Sequence, residues 1–298
     1  MKKLLLLVAS FATTAAFATP VEVDWKAGET APAKVARPFA GFIADGSFIV
    51  AGGSNFIDGK KVYSKDIFVR NHNGKWAKVG ELPRAVAEGV CCETPKGIFC
   101  AGGTDGQTKF AEAFLLNVEN GAVCVTPLPL SLPEPVAMGA AAADGEKVYV
   151  VASKKVWSLD VAKALDPDPA VRKFGEWVRV GEIPGPARAQ HIAAIQNGDQ
   201  KEKLLVVYGG YDAETKQPLH DGYGLVLSQL SQTSQLSQSA PWRKLAPLPE
   251  NTTTIGAAFL PSGHQHILLV GGFGEKGWID RAINGSTEAD PVKLGWQR

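Results

Sequence analysis

One short phrase constrains this chain more than any other, because the sequence keeps rewriting it. Ile49-Val50-Ala51-Gly52-Gly53 returns as Ile98-Phe99-Cys100-Ala101-Gly102-Gly103, as Val206-Val207-Tyr208-Gly209-Gly210 and as Leu268-Leu269-Val270-Gly271-Gly272. Each copy is an apolar run of β-type residues that stops at a glycine pair. About 25 to 30 residues ahead of each pair stands a tryptophan: Trp25, Trp76, Trp177 and Trp242. A repeat of this size requires stacked supersecondary units, since one unit cannot bury its apolar faces alone. Four short strands per unit with a Gly/aromatic signature is the pattern of a β-propeller. The expected fold is all-β, a propeller with five recognisable blades.

In chain order there are five unit starts and five second strands. Residues 39–44 are the first innermost strand; Ala40, Gly41 and Ala44 are small, as crowding at the axis demands. Residues 48–53 follow, then a long loop at 54–64 and a third strand at 65–71. The third unit is degenerate. Leu128-Pro129 and Val148-Tyr149-Val150-Val151 remain, but Ala152-Ser153 stands where a glycine pair is expected. The next strand, 156–159, comes almost at once, which implies a short turn. Residues 160–172 read as a brief helical insertion broken by Pro167 and Pro169. The Ser/Gln tract at 228–239 is low in complexity and reads as a solvated loop. The strand at 23–26 has no blade before it and is expected to complete the last blade.

Net charge is +1 with both signs interspersed, so no field steers nucleic acid or a membrane surface. Lys2-Lys3, the apolar run 4–17 and Ala16-Phe17-Ala18 form an export signal with an A-x-A-like cleavage site. The expected organisation is a signal peptide, 1–18, and one propeller domain, 19–298, soluble in the periplasm or secreted. The apolar run is short for a membrane span, and no later segment qualifies. Of four cysteines, Cys91 and Cys100 flank the turn Thr94-Pro95-Lys96-Gly97, and pairing Glu93 with Ile98 sets them directly opposite. An oxidising compartment permits a disulfide there. The cross-strand geometry is demanding, however, and small buried thiols are the preferred reading. No spacing resembles a zinc knuckle, and His264 and His266 share a strand face without a third ligand. Neither a metal nor a cofactor is expected.

Pro38-Phe39-Ala40-Gly41-Phe42, the text from Ile49 through Phe56, and Gly59-Lys60-Lys61-Val62 resemble the opening of the cyclically permuted mutarotase family. Its members are six-bladed kelch-type propellers related by permutation to N-acetylneuraminate epimerase, a sialic acid mutarotase. Gly80-Glu81-Leu82-Pro83-Arg84-Ala85, Pro184-Gly185-Pro186-Ala187-Arg188-Ala189-Gln190 and His266-Ile267-Leu268-Leu269-Val270-Gly271-Gly272 are similar to the family's later motifs, in order. Each motif alone is only kelch-like; the ordered set is more specific. The resemblance implies a kelch-type propeller that interconverts anomers of a sialic-acid-like small-molecule sugar by acid/base ring opening.

One departure stands out. The family's next repeat carries a Gly-Glu … Pro-Gly … Arg segment whose Glu and Arg are its proposed catalytic pair. Gly274-Glu275-Lys276-Gly277 is the nearest text here, and Arg281 beyond it is out of register. The chain is therefore expected to lack the sixth blade and that catalytic pair with it, and its mutarotase activity is expected to be weak or absent. The strand at 23–26 then pairs with the fifth blade, or the ring gapes and self-associates through unpaired edges. Two rival readings follow: a non-catalytic carbohydrate- or protein-binding propeller, and an inactive fragment of an interrupted gene. No Tyr/Cys/His constellation of a copper-oxidase propeller is visible.

Mutarotation needs one group to take the anomeric hydroxyl proton and another to protonate the ring oxygen. A sialic acid also offers a carboxylate to an arginine fork. Such residues belong where innermost strands begin and second strands end, which share one mouth. That nominates Arg37, Asn55, Arg84, Arg188 and Gln190 for substrate binding, with Asp105 beside them, and Glu88 and His191 for acid/base work. Arg84 and Arg188 each follow a proline leading into an innermost strand and read as equivalent walls of a basic funnel. Hydrogen bonding between blades is their plainer role. Glu88, four residues past Arg84, shares a strand face with it, and an ion pair between the two is the plain account. His191 titrates near neutrality when free but as a rule is a packed strand residue. Asn55-Phe56 offers an amide and a stacking ring, or packs its own loop.

Overall fold

The computed structural model describes residues 28–32, 34–119, 122–198, 201–230, 241–249, 252–274, 277–278 and 282–286. The export signal, the closing strand expected at 23–26, most of the Ser/Gln tract, and Glu275, Lys276 and Arg281 lie outside the described residues.

The chain forms an all-β propeller; among the described residues, five antiparallel sheets of three or four strands are its blades, and three two-stranded hairpins or pairs accompany them. Each sheet starts at the axis. The innermost strands are Phe39–Phe42, Val90–Thr94, Ala140–Asp144, Ile192–Asn197 and Ala257–Ser262, and each touches the next. The second strands are Phe48–Ala51, Gly97–Ala101, Lys147–Ala152, Lys203–Tyr208 and His266–Gly271. The tryptophans mark outer edges: Trp76–Glu81 and Trp242–Leu245 are the outermost strands of blades one and four. Three strands of blade five are described, ending with Ala282–Ser286.

The continuous apolarity of the second strands has a packing cause. Blades two, three and four are covered on both faces by a neighbour, so both residues of nearly every period-two pair are buried there, whereas in the second strands of blades one and five buried and half-buried residues alternate. Ile98 and Cys100 face blade one, packing with Phe39, Ile49 and Ile67. Phe99 and Ala101 face blade three, packing with Val148 and Val150. Tyr149 and Val151 then meet Leu205 and Val207 of blade four. Leu204 and Val206 meet Ile267 and Leu269 of blade five. Among the described residues the core is four interfaces between blades. Truncating one of these leucines to alanine costs about 2–5 kcal/mol.

The glycine pairs are required by backbone shape. Gly102 and Gly103 have φ of +66° and +100°, and a Cβ on Gly102 would lie 2.3 Å from the Val136 carbonyl oxygen. Blade three escapes the requirement because Ala152 runs straight into a tight turn at Ser153, and the third strand Lys155–Asp160 follows at once. Two short helices, Val161–Ala164 and Pro169–Arg172, occupy the insertion, capped by the side chains of Asp160 and Asp168.

One expected loop is not a loop. Residues 54–63 form a hairpin, Ser54–Ile57 against Lys60–Tyr63, through Asp58-Gly59 with φ of 50° and 75°. Asp-Gly at a two-residue hairpin turn is the sequence sign for this structure. Cys91 does stand opposite Cys100, and all four cysteines are free thiols. The Cys91 Sγ donates to the Ala40 carbonyl at 3.4 Å, so the thiol links two innermost strands.

Candidate functional site

At the end of the propeller where the second strands finish, a belt of backbone runs around the axis from blade one to blade five. Two residues before an innermost strand the chain turns through the left-handed region at Arg37 (φ 52°), Glu88 (64°), Met138 (61°) and Gln190 (56°). Non-glycine residues there cost about 1–3 kcal/mol each unless the surroundings hold them. Here hydrogen bonds do. The Glu88 N–H donates to the Arg37 carbonyl (3.0 Å), Met138 N–H to Glu88 (2.7 Å) and Gln190 N–H to Met138 (2.8 Å). The Thr254 hydroxyl donates to the Gln190 carbonyl at 3.3 Å and carries the belt to blade five.

The side chains on this belt form a mixed-charge rim. Lys61, from the 54–63 hairpin, places Nζ 2.5 Å from Glu88 Oε1. It also lies 5.1 Å from the centroid of the Tyr63 ring. Arg37 lies within electrostatic reach of both Glu88 and Tyr211. The Tyr211 hydroxyl donates to Met138 Sδ at 3.3 Å, a weak acceptor. Gln190 Nε2 takes the same sulfur at 3.7 Å, while its buried Oε1 has no partner. Burial lowers the Arg37 pKa, partly offset by Glu88 and Tyr211. Burial would lower Lys61 too, but its hydrogen bonds to Glu88 and Tyr63 prevail, and its pKa is raised.

Of the residues nominated from sequence, Arg37, Glu88 and Gln190 meet on this rim. The others do not join them. Arg188 is buried, 1% exposed, with its guanidinium fork on both Asp221 oxygens at 2.9 Å and on the Gly209 carbonyl at 3.3 Å. It lies two residues before Gln190, the place held by Val35, Val86 and Val136 in the other blades. Arg84 is therefore not its equivalent, and the two share no funnel. Arg84 is half exposed, bonded to Glu112 at 2.9 Å and stacked 4.6 Å over Phe110. It borders an apolar groove of about 180 Å³ between blades one and two. Glu88 precedes its strand rather than lying on it, and its ion-pair partner is Lys61 instead of Arg84.

His191 is buried, with Nε2 3.2 Å from the Val151 carbonyl. Burial, aided by the Arg188 charge, lowers its pKa to about 4. A neutral imidazole inside the wall is not placed for acid/base work at the mouth. Asn55 is exposed, and its Oδ1 accepts the Phe56 N–H at 2.8 Å. Asp105 ties its own loop by accepting from Gln107 and Thr108 N–H at 2.9 and 2.8 Å. Sequence reasoning missed Lys61, Met138 and Tyr211. Asp58-Gly59 could have located Lys61, since that turn fixes which strand residues share a face. Nothing in the sequence announces that Met138 adopts a left-handed backbone.

The same end carries a larger opening. Because blade three turns so tightly at Ala152-Ser153, a cavity of about 390 Å³ lies above it, lined by Lys109, Glu134, Ala137, Lys154 and Glu182 among others. Among the described residues, no group of three His, Cys, Asp or Glu converges as metal ligands. No helix among them is long and apolar enough to cross a membrane.

No family model matches the chain. Over 154 residues it is 30% identical to a Pasteurella multocida (strain Pm70) protein, a match covering 49% of this chain and 34% of that one. Over 112 residues it is 36% identical to a protein of Escherichia coli (strain K12), covering 32% and 30%. Both relatives are N-acetylneuraminate epimerases. The chain spans about a third of the length of these epimerases. The solved structure of YjhT superposes with a TM-score of 0.65, covering 89% of this chain and 84% of that one at 14% identity. That likeness supports the propeller fold.

Proposed function

We propose that this chain binds a carboxylated sugar of the N-acetylneuraminate type at the axial rim and interconverts its anomers. The observation that carries the reading is the convergence of Arg37, Lys61, Glu88, Gln190 and Tyr211 at one mouth. The similarity to N-acetylneuraminate epimerases supplies the substrate class. Arg37 offers a fork for the sugar carboxylate. Gln190 Oε1 offers an acceptor to a sugar hydroxyl.

The chemistry balances with the groups present. The Glu88 carboxylate takes the anomeric hydroxyl proton as the bond between the anomeric carbon and the ring oxygen breaks. The ring oxygen takes a proton from the Tyr211 hydroxyl, whose acceptor in the structure is only a thioether. The open-chain ketone turns its other face, and the same steps reversed close the ring. Positioned acid/base pairs of this kind contribute about 10²–10⁴-fold. Lys61 holds Glu88 in place.

Proton NMR of freshly dissolved α-N-acetylneuraminate tests this. The expected result is anomer exchange above the spontaneous rate, reduced at least 100-fold in Glu88→Gln. Tight binding without accelerated exchange would instead make the chain a sugar-binding propeller. Export to the periplasm belongs to the same proposal and rests on Lys2-Lys3, the apolar run and Ala16-Phe17-Ala18. Mass spectrometry of exported material should give Thr19 as the first residue; an intact Met1 on that material refutes it.

A further inference from the structure

The 54–63 hairpin presents one face to the rim, and strand register says which residues are on it. Lys61 reaches Glu88, so its face is the inner one. Phe56 stands directly across from Lys61 in the antiparallel pair, and Tyr63 lies two residues along. Directly opposed residues, and residues two apart, share a face. Phe56, Lys61 and Tyr63 therefore line the side toward the mouth, while Asn55, Ile57, Lys60 and Val62 line the other. The Tyr63 ring closes the base of the hairpin, against Gly106 of blade two. Phe56, nearer the tip, is 68% exposed. A single exposed phenylalanine is ordinary on a protein surface. What distinguishes this one is its place directly across the hairpin from Lys61, whose ammonium pairs with Glu88.

We infer that Phe56 is the stacking platform of the mouth, with its ring against the C–H face of the bound sugar while Arg37 and Lys61 face the carboxylate. The inference rests on the proposed sugar site and names a specificity residue within it. An aromatic face carries negative quadrupole charge, and the axial C–H bonds of a pyranose present a weakly positive, apolar face to it. A free acyclic carboxylate lacks that face. The hairpin is thus a lip that selects for a ring, whereas the arginine selects for charge.

Calorimetry with N-acetylneuraminate on the full chain tests the assignment. Phe56→Ala should weaken binding about tenfold with an unchanged melting temperature, and Phe56→Trp should retain affinity. Val62→Ala, on the outer face, should bind as the parent does. Raising the salt should shrink the loss in Arg37→Ala but leave the Phe56→Ala loss unchanged, because stacking is not screened. Parent-like affinity in Phe56→Ala, with binding lost in Arg37→Ala, overturns the platform and leaves the sugar site standing. An equal loss in Val62→Ala overturns the assignment of faces. Absence of binding by the parent chain overturns the sugar site and the platform together.

Discussion

The rim around Glu88 and the brace around Arg188 both set a cation against a carboxylate at the same end of the propeller, with the buried partner reversed: the carboxylate at the rim, the cation in the brace. Arg188 has a side chain 0% exposed, with its fork fixed on Asp221 by two bonds and on the Gly209 carbonyl by a third. Glu88, with a side chain 6% exposed, meets one lysine whose own side chain is a third exposed. A buried, bidentate pair holds parts of a fold in place, and removing one partner leaves the other uncompensated. A point charge on a four-carbon stem can swing away when a ligand arrives. Charge and proximity to the mouth therefore do not identify the site; a carboxylate held by a single, partly exposed lysine does.

The largest effect should come from breaking the brace. Arg188→Ala is expected to destabilise the fold by about 3 kcal/mol, the low end for a broken buried pair because Asp221 keeps some solvent. Urea denaturation checks this. A stable Arg188→Ala variant that loses sugar binding would reverse the roles assigned to the two regions.

His191 sharpens the same contrast through pH. Its pKa in the fold, about 4, lies below the ordinary 6.5. Between those values the unfolded chain holds the proton and the folded chain does not, so stability falls as pH drops through that window. At pH 5 the loss from this residue is about 2 kcal/mol. Urea midpoints at pH 7 and pH 5 should drop more for the parent than for His191→Gln. Equal drops would show that His191 is accessible and titrates normally, as a mouth residue would.

The repeat and its packing were legible in the sequence because they follow from local rules. A strand apolar on both faces must lie between two others, and paired glycines mark left-handed backbone. The degenerate third blade was legible for the same reason, in Ala152-Ser153. The site was legible only in part. Arg84 and Arg188 look equivalent when counted from their prolines, but the strands set the true register, which aligns Arg188 with Val86. The left-handed turns at Arg37, Glu88 and Gln190 are imposed by hydrogen bonds from neighbouring blades, and no residue type among them signals such a turn. Lys61 reaches Glu88 across a sequence separation of 27 residues, a contact that only the stacking of blades creates.

The smallest effect expected is at Arg84. Its pair with Glu112 is exposed on both sides, so Arg84→Ala should change stability by no more than about 1 kcal/mol. Set beside Arg37, it gives the most direct test of where the ligand sits. Titration calorimetry with N-acetylneuraminate, on Arg37→Ala and Arg84→Ala in parallel, measures it. The rim predicts affinity lost in Arg37→Ala by about 10- to 150-fold, the scale of a charged hydrogen bond, and unchanged in Arg84→Ala. Affinity lost in Arg84→Ala and kept in Arg37→Ala would contradict it and move the site to the groove between blades one and two.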